Sequence, residues 1–98
     1  MPTFRDVDPR TLHLPTQRQG GADPWKLHQQ IARFGASTAG MPPVWVEEDP
    51  NGALRIIHGV TRAVRVAKMS PGTPIRVEVI ATRKRPFNTR LTVADVIS

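Results

Sequence analysis

Apolar and polar positions recur along this chain with two different periods, and each period predicts elements. Leu27, Ile31 and Phe34 fall at i, i+4 and i+7, one face of a helix directed at the core. Asp23 is placed to cap that helix, Pro24 suits its first position and Gly35 its end. Trp25 either joins that face or covers its edge. Val60, Ala63, Val64 and Ala67 make a second helical stripe over about 60–69, which Ser70-Pro71-Gly72-Thr73 stops. Alternation with period two marks the strands. Val44-Trp45-Val46-Glu47, the turn Asp49-Pro50-Asn51-Gly52 and the return at 53–57 predict a hairpin over 44–57. Over 74–81, Ile75, Val77 and Val79 share one face while Arg76, Glu78 and Ile80 share the other, a strand with one fully apolar side.

The remaining segments are irregular. Residues 1–10 read as an N-terminal arm, and 11–14 as a short strand halted by Pro15. Residues 16–22 and 35–43 read as loops, 82–90 as a basic stretch, and 91–97 as an apolar tail of undetermined form. The order strand, helix, hairpin, helix, strand predicts an α+β fold, a small mixed sheet with helices packed mainly on one face. The expected division is an arm (1–10), a folded domain (11–81) and a basic C-terminal extension (82–98).

Charge changes this picture more than composition does. Residues 1–58 carry six Lys or Arg and six acids, whereas 59–98 carry eight basic residues and two acids, the whole formal charge of +6. Such asymmetry favours a polyanionic partner. The chain of 98 residues has no cysteine, which removes disulfides and thiol chemistry. No apolar run approaches the ~18 residues of a membrane span. Met1-Pro2-Thr3-Phe4-Arg5-Asp6 lacks the apolar segment of a secretory signal, so the expected location is cytoplasmic, with no membrane partner.

The most informative chemistry lies where strand meets helix, at His58-Gly59-Val60-Thr61-Arg62. The first amides of a helix have no internal acceptors, the dipole is positive there, and glycine lets an anion approach the backbone. Gly59, Val60 and Thr61 would supply amides, Thr61 a hydroxyl, and Arg62 a forked guanidinium. Gly59 would otherwise be only a turn residue, and Arg62 half of an ion pair. Arg65 and Lys68 follow at helical spacing, either as a solvated row or as an extension of the basic field. Arg83, Lys84, Arg85, Phe87 and Arg90 combine cations with an aromatic, which suits phosphates plus a stacked base and equally describes an ordinary basic loop. His58 reads either as an acid–base group or as a structural histidine. Trp45 reads either as a stacking platform or as cover for a helix. Glu47-Glu48-Asp49 could hold magnesium or solubilise a hairpin tip. His13, His28 and His58 lack ligand spacing, and no metal site is expected from them.

Taken in order, Pro42-Pro43-Val44-Trp45-Val46, Leu54-Arg55-Ile56-Ile57-His58-Gly59, Arg62, Ala67 and Pro74-Ile75-Arg76-Val77-Glu78-Val79 resemble the N-terminal domain of the ParB chromosome-partitioning proteins and the related sulfiredoxins, over roughly residues 11–81. In that superfamily a Gly-x-x-Arg turn grips nucleotide phosphates, CTP in ParB and ATP in sulfiredoxin. Gly59 and Arg62 match it. Val60-Thr61 stands where ParB has Glu-Arg and sulfiredoxin Cys-His, so the ParB motif is degenerate and sulfinic-acid repair is excluded. No segment matches the helix-turn-helix of ParB. The resemblance implies a nucleotide partner, a nucleoside triphosphate with Mg2+, while hydrolysis, catalytic residues and oligomeric state stay open. The expected function is a nucleotide- or phosphate-binding domain. The alternative is a non-catalytic nucleic-acid-binding module using the basic C-terminal half.

Overall fold

Val44, Val46, Leu54, Ile56, Ile75 and Val77 place their side chains on one face of a pleated surface, and all six are buried. The computed structural model describes residues 1–88 and 90–97; Thr89 and Ser98, both in the expected C-terminal extension, lie outside the described residues. In chain order the elements are β1 (Phe4–Val7), 3-10 turns at Pro9–Thr11 and Thr16–Arg18, α1 (Pro24–Phe34), β2 (Val44–Glu48), β3 (Leu54–His58), α2 (Val60–Met69), β4 (Ile75–Thr82) and α3 (Val93–Val96). The four strands form one mixed sheet in the order β1-β4-β2-β3. β2 and β3 are the antiparallel hairpin, β4 returns parallel to β2 after α2, and β1 pairs antiparallel with β4. The fold is therefore α+β, as the pattern predicts, with a sheet that is buried on its helical side.

α2 is the element around which the helical layer is built. Its apolar stripe predicts one buried face, yet Ala63, Val64, Arg65, Val66 and Ala67 are buried in succession. The reason is tertiary: α1, the first 3-10 turn and α3 also pack on α2, so most of its circumference is covered. α1 itself starts as read, with the Asp23 carboxylate accepting from Trp25 N and Lys26 N and with Gly35 (φ 58°) ending it. Its apolar face is less buried than the spacing predicts. Leu27 packs against the core, whereas Phe34 is 44% exposed and Trp25 67% exposed.

Two irregular readings are corrected, and the form of the tail, left open by the sequence, is given. The arm contributes a strand, β1, and Val7 packs against the core. Residues 11–14 form no regular strand: Thr11 closes the first 3-10 turn, and His13 bridges to Arg55 and Thr92. The apolar tail forms α3, closed by a capping box of Thr92 and Asp95 that sets Val93 into the core. These segments failed the periodicity test because each is too short to show a period.

The other face of the sheet is uncovered. Trp45 is 45% exposed there, tilted against the His58 ring at 5.6 Å, and Phe4 and Ile80 are exposed on it as well. Trp45 thus covers no helix.

Two substitutions test what holds this fold. Burial works to raise the Asp49 carboxyl, but amides of Phe87, Ala53 and Asn51, with His13 adding to them, hold it below its ordinary value. The Arg10 hydrogen bond lowers Asp8, and the Arg5 hydrogen bond lowers Glu48. Carboxyls depressed in the folded state stabilise it above their unfolded value of about 4 and lose that effect as pH falls through the folded values. Melting curves should therefore be flat from neutral to mildly acid pH and fall below about pH 4. Asp49→Asn should melt lower at pH 7, with the gap to wild type closing in acid. Arg65, buried on α2, donates from Nη1 to the carbonyls of Gly35 and Ser37, and Arg65→Met, which strands both, should cost about 2–4 kcal/mol in urea unfolding.

A candidate anion-binding cleft at the start of α2

Gly59 makes the corner between β3 and α2 with φ 113°, ψ 24°, in the left-handed region that side chains resist. The first backbone bond of α2 runs from Ala63 N to Gly59 O at 3.0 Å, which leaves the amides of Val60, Thr61 and Arg62 without acceptors in the helix. No side chain caps them. Gly59, Val60 and Thr61 line a cleft of ≈ 270 Å³ together with His58, Arg18 and Lys26. Arg18 ends the second 3-10 turn and Lys26 sits in the first turn of α1. Among the described residues neither has an ion-pair partner. Two exposed cations and a helix N-terminus thus line one opening, an arrangement that attracts negative charge.

Arg62 does not share that opening. Its guanidinium folds behind Gly59 and donates from Nη2 to the Pro43 carbonyl at 3.1 Å. A Cβ on Gly59 would lie 2.9 Å from Arg62 Nη2 and 3.1 Å from Val44 Cγ2. Arg62 lines a second cleft instead, of ≈ 210 Å³, with Gln30, Phe34 and Arg65. The four residues grouped by sequence are therefore divided: Gly59, Val60 and Thr61 on one side, Arg62 on the other. Among the described residues no acid pairs with Arg62, and burial lowers its guanidinium from the ordinary range.

The basic row on α2 is also divided. Lys68 is exposed, but Arg65 is only 2% exposed and donates from Nη1 to Gly35 O (2.9 Å) and Ser37 O (2.8 Å). This corrects its reading as a nucleic-acid contact: the side chain points inward to loop carbonyls. Phe87 has partners within the chain as well. Its ring already packs with Arg55 (4.6 Å), Arg83 (5.5 Å) and His13 (5.8 Å). Arg83 also reaches Glu47 at 3.7 Å. Lys84, Arg85 and Arg90 remain exposed.

The hairpin acids do not form a cation site. Glu47 pairs with Arg55, Glu48 with Arg5, and Asp49 is buried accepting amides of its own turn. Among the described residues no group of three or more His, Asp or Glu is placed to hold a metal ion. No helix among them is long and apolar enough to cross a membrane.

Sequence reasoning missed Arg18 and Lys26. Arg18 lies in an aperiodic Gln-Arg-Gln-Gly-Gly loop, and Lys26 is an ordinary first-turn residue of a helix. Only the docking of α1 and the preceding loop beside Gly59 brings them together. No protein-family model matches the chain, and no curated protein is significantly similar to it.

Gly59→Ala should be destabilising by about 1–3 kcal/mol, since the left-handed backbone is strained for alanine. The contacts with Val44 and with the tethered Arg62 add to that cost. Urea unfolding reads it directly.

Proposed function

We propose that this chain is a binding domain for a phosphate-bearing ligand, a nucleotide being the class favoured, held at the start of α2. The observation that carries the reading is that Arg18, Lys26, Val60 and Thr61 line one cleft at a helix start whose amides no side chain caps. Phosphate oxygens would accept from the amides and from Thr61, while Arg18 and Lys26 neutralise charge from the opposite wall. The likeness of residues 11–81 to ParB and sulfiredoxin sequences is the reason to favour nucleotides over other phosphates. Val60-Thr61 in place of the family residues, and Arg62 behind the turn, make the grip different from theirs: Arg18 and Lys26 take the cationic role.

The residues fit phosphate better than they fit magnesium. Among the described residues no carboxylate lines the cleft. A divalent ion would have to arrive on the ligand and be held by its oxygens. The proposal is therefore one of binding, with no group assigned to hydrolysis.

The alternative, a nucleic-acid module built on the basic C-terminal half, has less support. Arg65 is buried, Phe87 already packs with Arg55 and Arg83, and Arg83 faces Glu47, which leaves Lys84, Arg85 and Arg90 as the exposed cations of the stretch.

Titration of the full chain with pyrophosphate and the four nucleoside triphosphates, with and without Mg2+, tests the reading by amide chemical shifts. The Val60 and Thr61 amides should move most. Arg18→Ala and Lys26→Ala should each weaken binding roughly tenfold, the order of one charge-assisted hydrogen bond. Arg62→Ala should weaken it less than either. Short single- and double-stranded oligonucleotides binding tightly while all mononucleotides fail would favour the alternative.

A further inference from the structure

A third cleft continues the first. It holds ≈ 280 Å³ and is lined by Lys26, Gln29, Gln30, Arg33, Phe34 and Thr61. Lys26 and Thr61 line the phosphate cleft as well, so the two spaces meet between α1 and the first turn of α2. Along α1, Lys26, Gln29, Gln30 and Arg33 stand at i, i+3, i+4 and i+7, on one side of the helix. At 1.5 Å per residue that side runs about 10 Å from Lys26 to Arg33. The path is therefore longer than the phosphate cleft alone.

Its charge is of one sign. Arg18, Lys26 and Arg33 are exposed, and among the described residues none of the three has an ion-pair partner. Among those residues no carboxylate lines either cleft. Asp23, the acid closest to Lys26 in sequence, is occupied in capping α1. The order of the cations narrows the ligand. Arg18 lines the first cleft, Lys26 both, and Arg33 the third. A mononucleotide carries its charge at one end and leaves Arg33 unanswered, whereas a chain with phosphates at intervals answers all three. Gln29 and Gln30 stand between Lys26 and Arg33 with amides that both donate and accept, and Phe34, 44% exposed, lines the same space. Phosphate oxygens only accept, so a bare polyphosphate makes no use of the amide oxygens or of the ring. Bases use both, and a single strand leaves them free to do so.

We propose that the phosphate cleft and the third cleft form one track for a short single-stranded nucleic acid. One phosphate sits at the start of α2, the backbone continues past Lys26, and a further phosphate meets Arg33. Bases along that stretch meet Gln29, Gln30 and Phe34. This track rests on the phosphate reading of the first cleft, which it extends along α1, and it uses none of the cations after β4. The same phosphodiester chain is available from RNA and from DNA.

The test uses the full chain with pyrophosphate, with 5′-phosphorylated thymidine and uridine oligomers from the mononucleotide to the hexamer, with inorganic polyphosphate and with a DNA duplex. Affinity should rise at least tenfold from mononucleotide to tetramer and then level off. The oligomers should shift the Gln29 and Gln30 side-chain amides and the Arg33 Nε–H, which pyrophosphate leaves in place while it shifts Thr61. Each phosphate neutralised on a single strand adds about −0.7 to the slope of log affinity against log salt, so three cations give about −2. Arg33→Gln should reduce that slope by about 0.7 and weaken the tetramer severalfold, with pyrophosphate binding unchanged. Arg33 is exposed, and amide dispersion checks that the variant folds. A preference between the thymidine and uridine series identifies DNA or RNA as the source. Oligomers no tighter than the mononucleotide, or a salt slope that Arg33→Gln leaves unchanged, overturn the proposal. So does polyphosphate or duplex matching the single strands, or a footprint on Lys84, Arg85 and Arg90 instead of α1. In each of those cases pyrophosphate that still shifts Thr61 keeps the phosphate reading; pyrophosphate and mononucleotides that fail to bind remove both.

Discussion

The Arg65 guanidinium is buried without an acid, and its bonds to the carbonyls of Gly35 and Ser37 fix how the chain leaves α1 and enters β2. A desolvated cation is costly unless dipoles or charges surround it. Here two carbonyls, the Met41 sulfur at 3.4 Å and the Phe34 face supply that surrounding. The consequence reaches further than one loop. α1 contributes no fully buried residue, so its position against α2 owes more to this polar tether than to a thick apolar contact. Where α1 sits determines where Lys26 and Gln30 sit, and those two residues are walls of different clefts.

Gly59 is the complementary constraint. Its left-handed backbone turns β3 into α2 within one residue, and the absence of a side chain lets Arg62 fold back to Pro43. That return separates the two sides of the turn. In front, helix amides face Arg18 and Lys26; behind, Arg62 joins Arg65. Both clefts are electropositive, but by different physics. The first is lined by two exposed cations that have no ion-pair partner among the described residues. The second is lined by Phe34, Met41 and Pro42 as well as by the two arginines and is the more apolar of the two.

The acids explain why the positive charge is left available. Glu47, Glu48, Asp8 and Asp6 pair with Arg55, Arg5, Arg10 and Arg76, and Asp49 is spent on the hairpin turn. These pairs cluster at the hairpin tip, the β1–β4 edge and the first 3-10 turn. None reaches α2. The excess charge of the chain therefore falls on the layer that holds both clefts and on the exposed loop after β4.

The sequence by itself determined the elements long enough to display a period. α1 with its Asp23 cap and Gly35 stop, the β2–β3 hairpin, α2 and β4 follow from hydrophobic spacing and turn chemistry, which act over a few residues. It determined as well that Gly59 opens a helix whose first amides are free. Tertiary structure decided everything that depends on which segments meet. β1 and α3 are too short for a period and exist because β4 and the core accept them. Arg62, Arg65 and Lys68 look alike along one helix, yet only packing against the α1–β2 loop sends the first two inward and leaves the third in water. Arg18 and Lys26 carry no local signal at all, because a binding site is assembled by distance in space, which a periodicity of three or four residues does not encode.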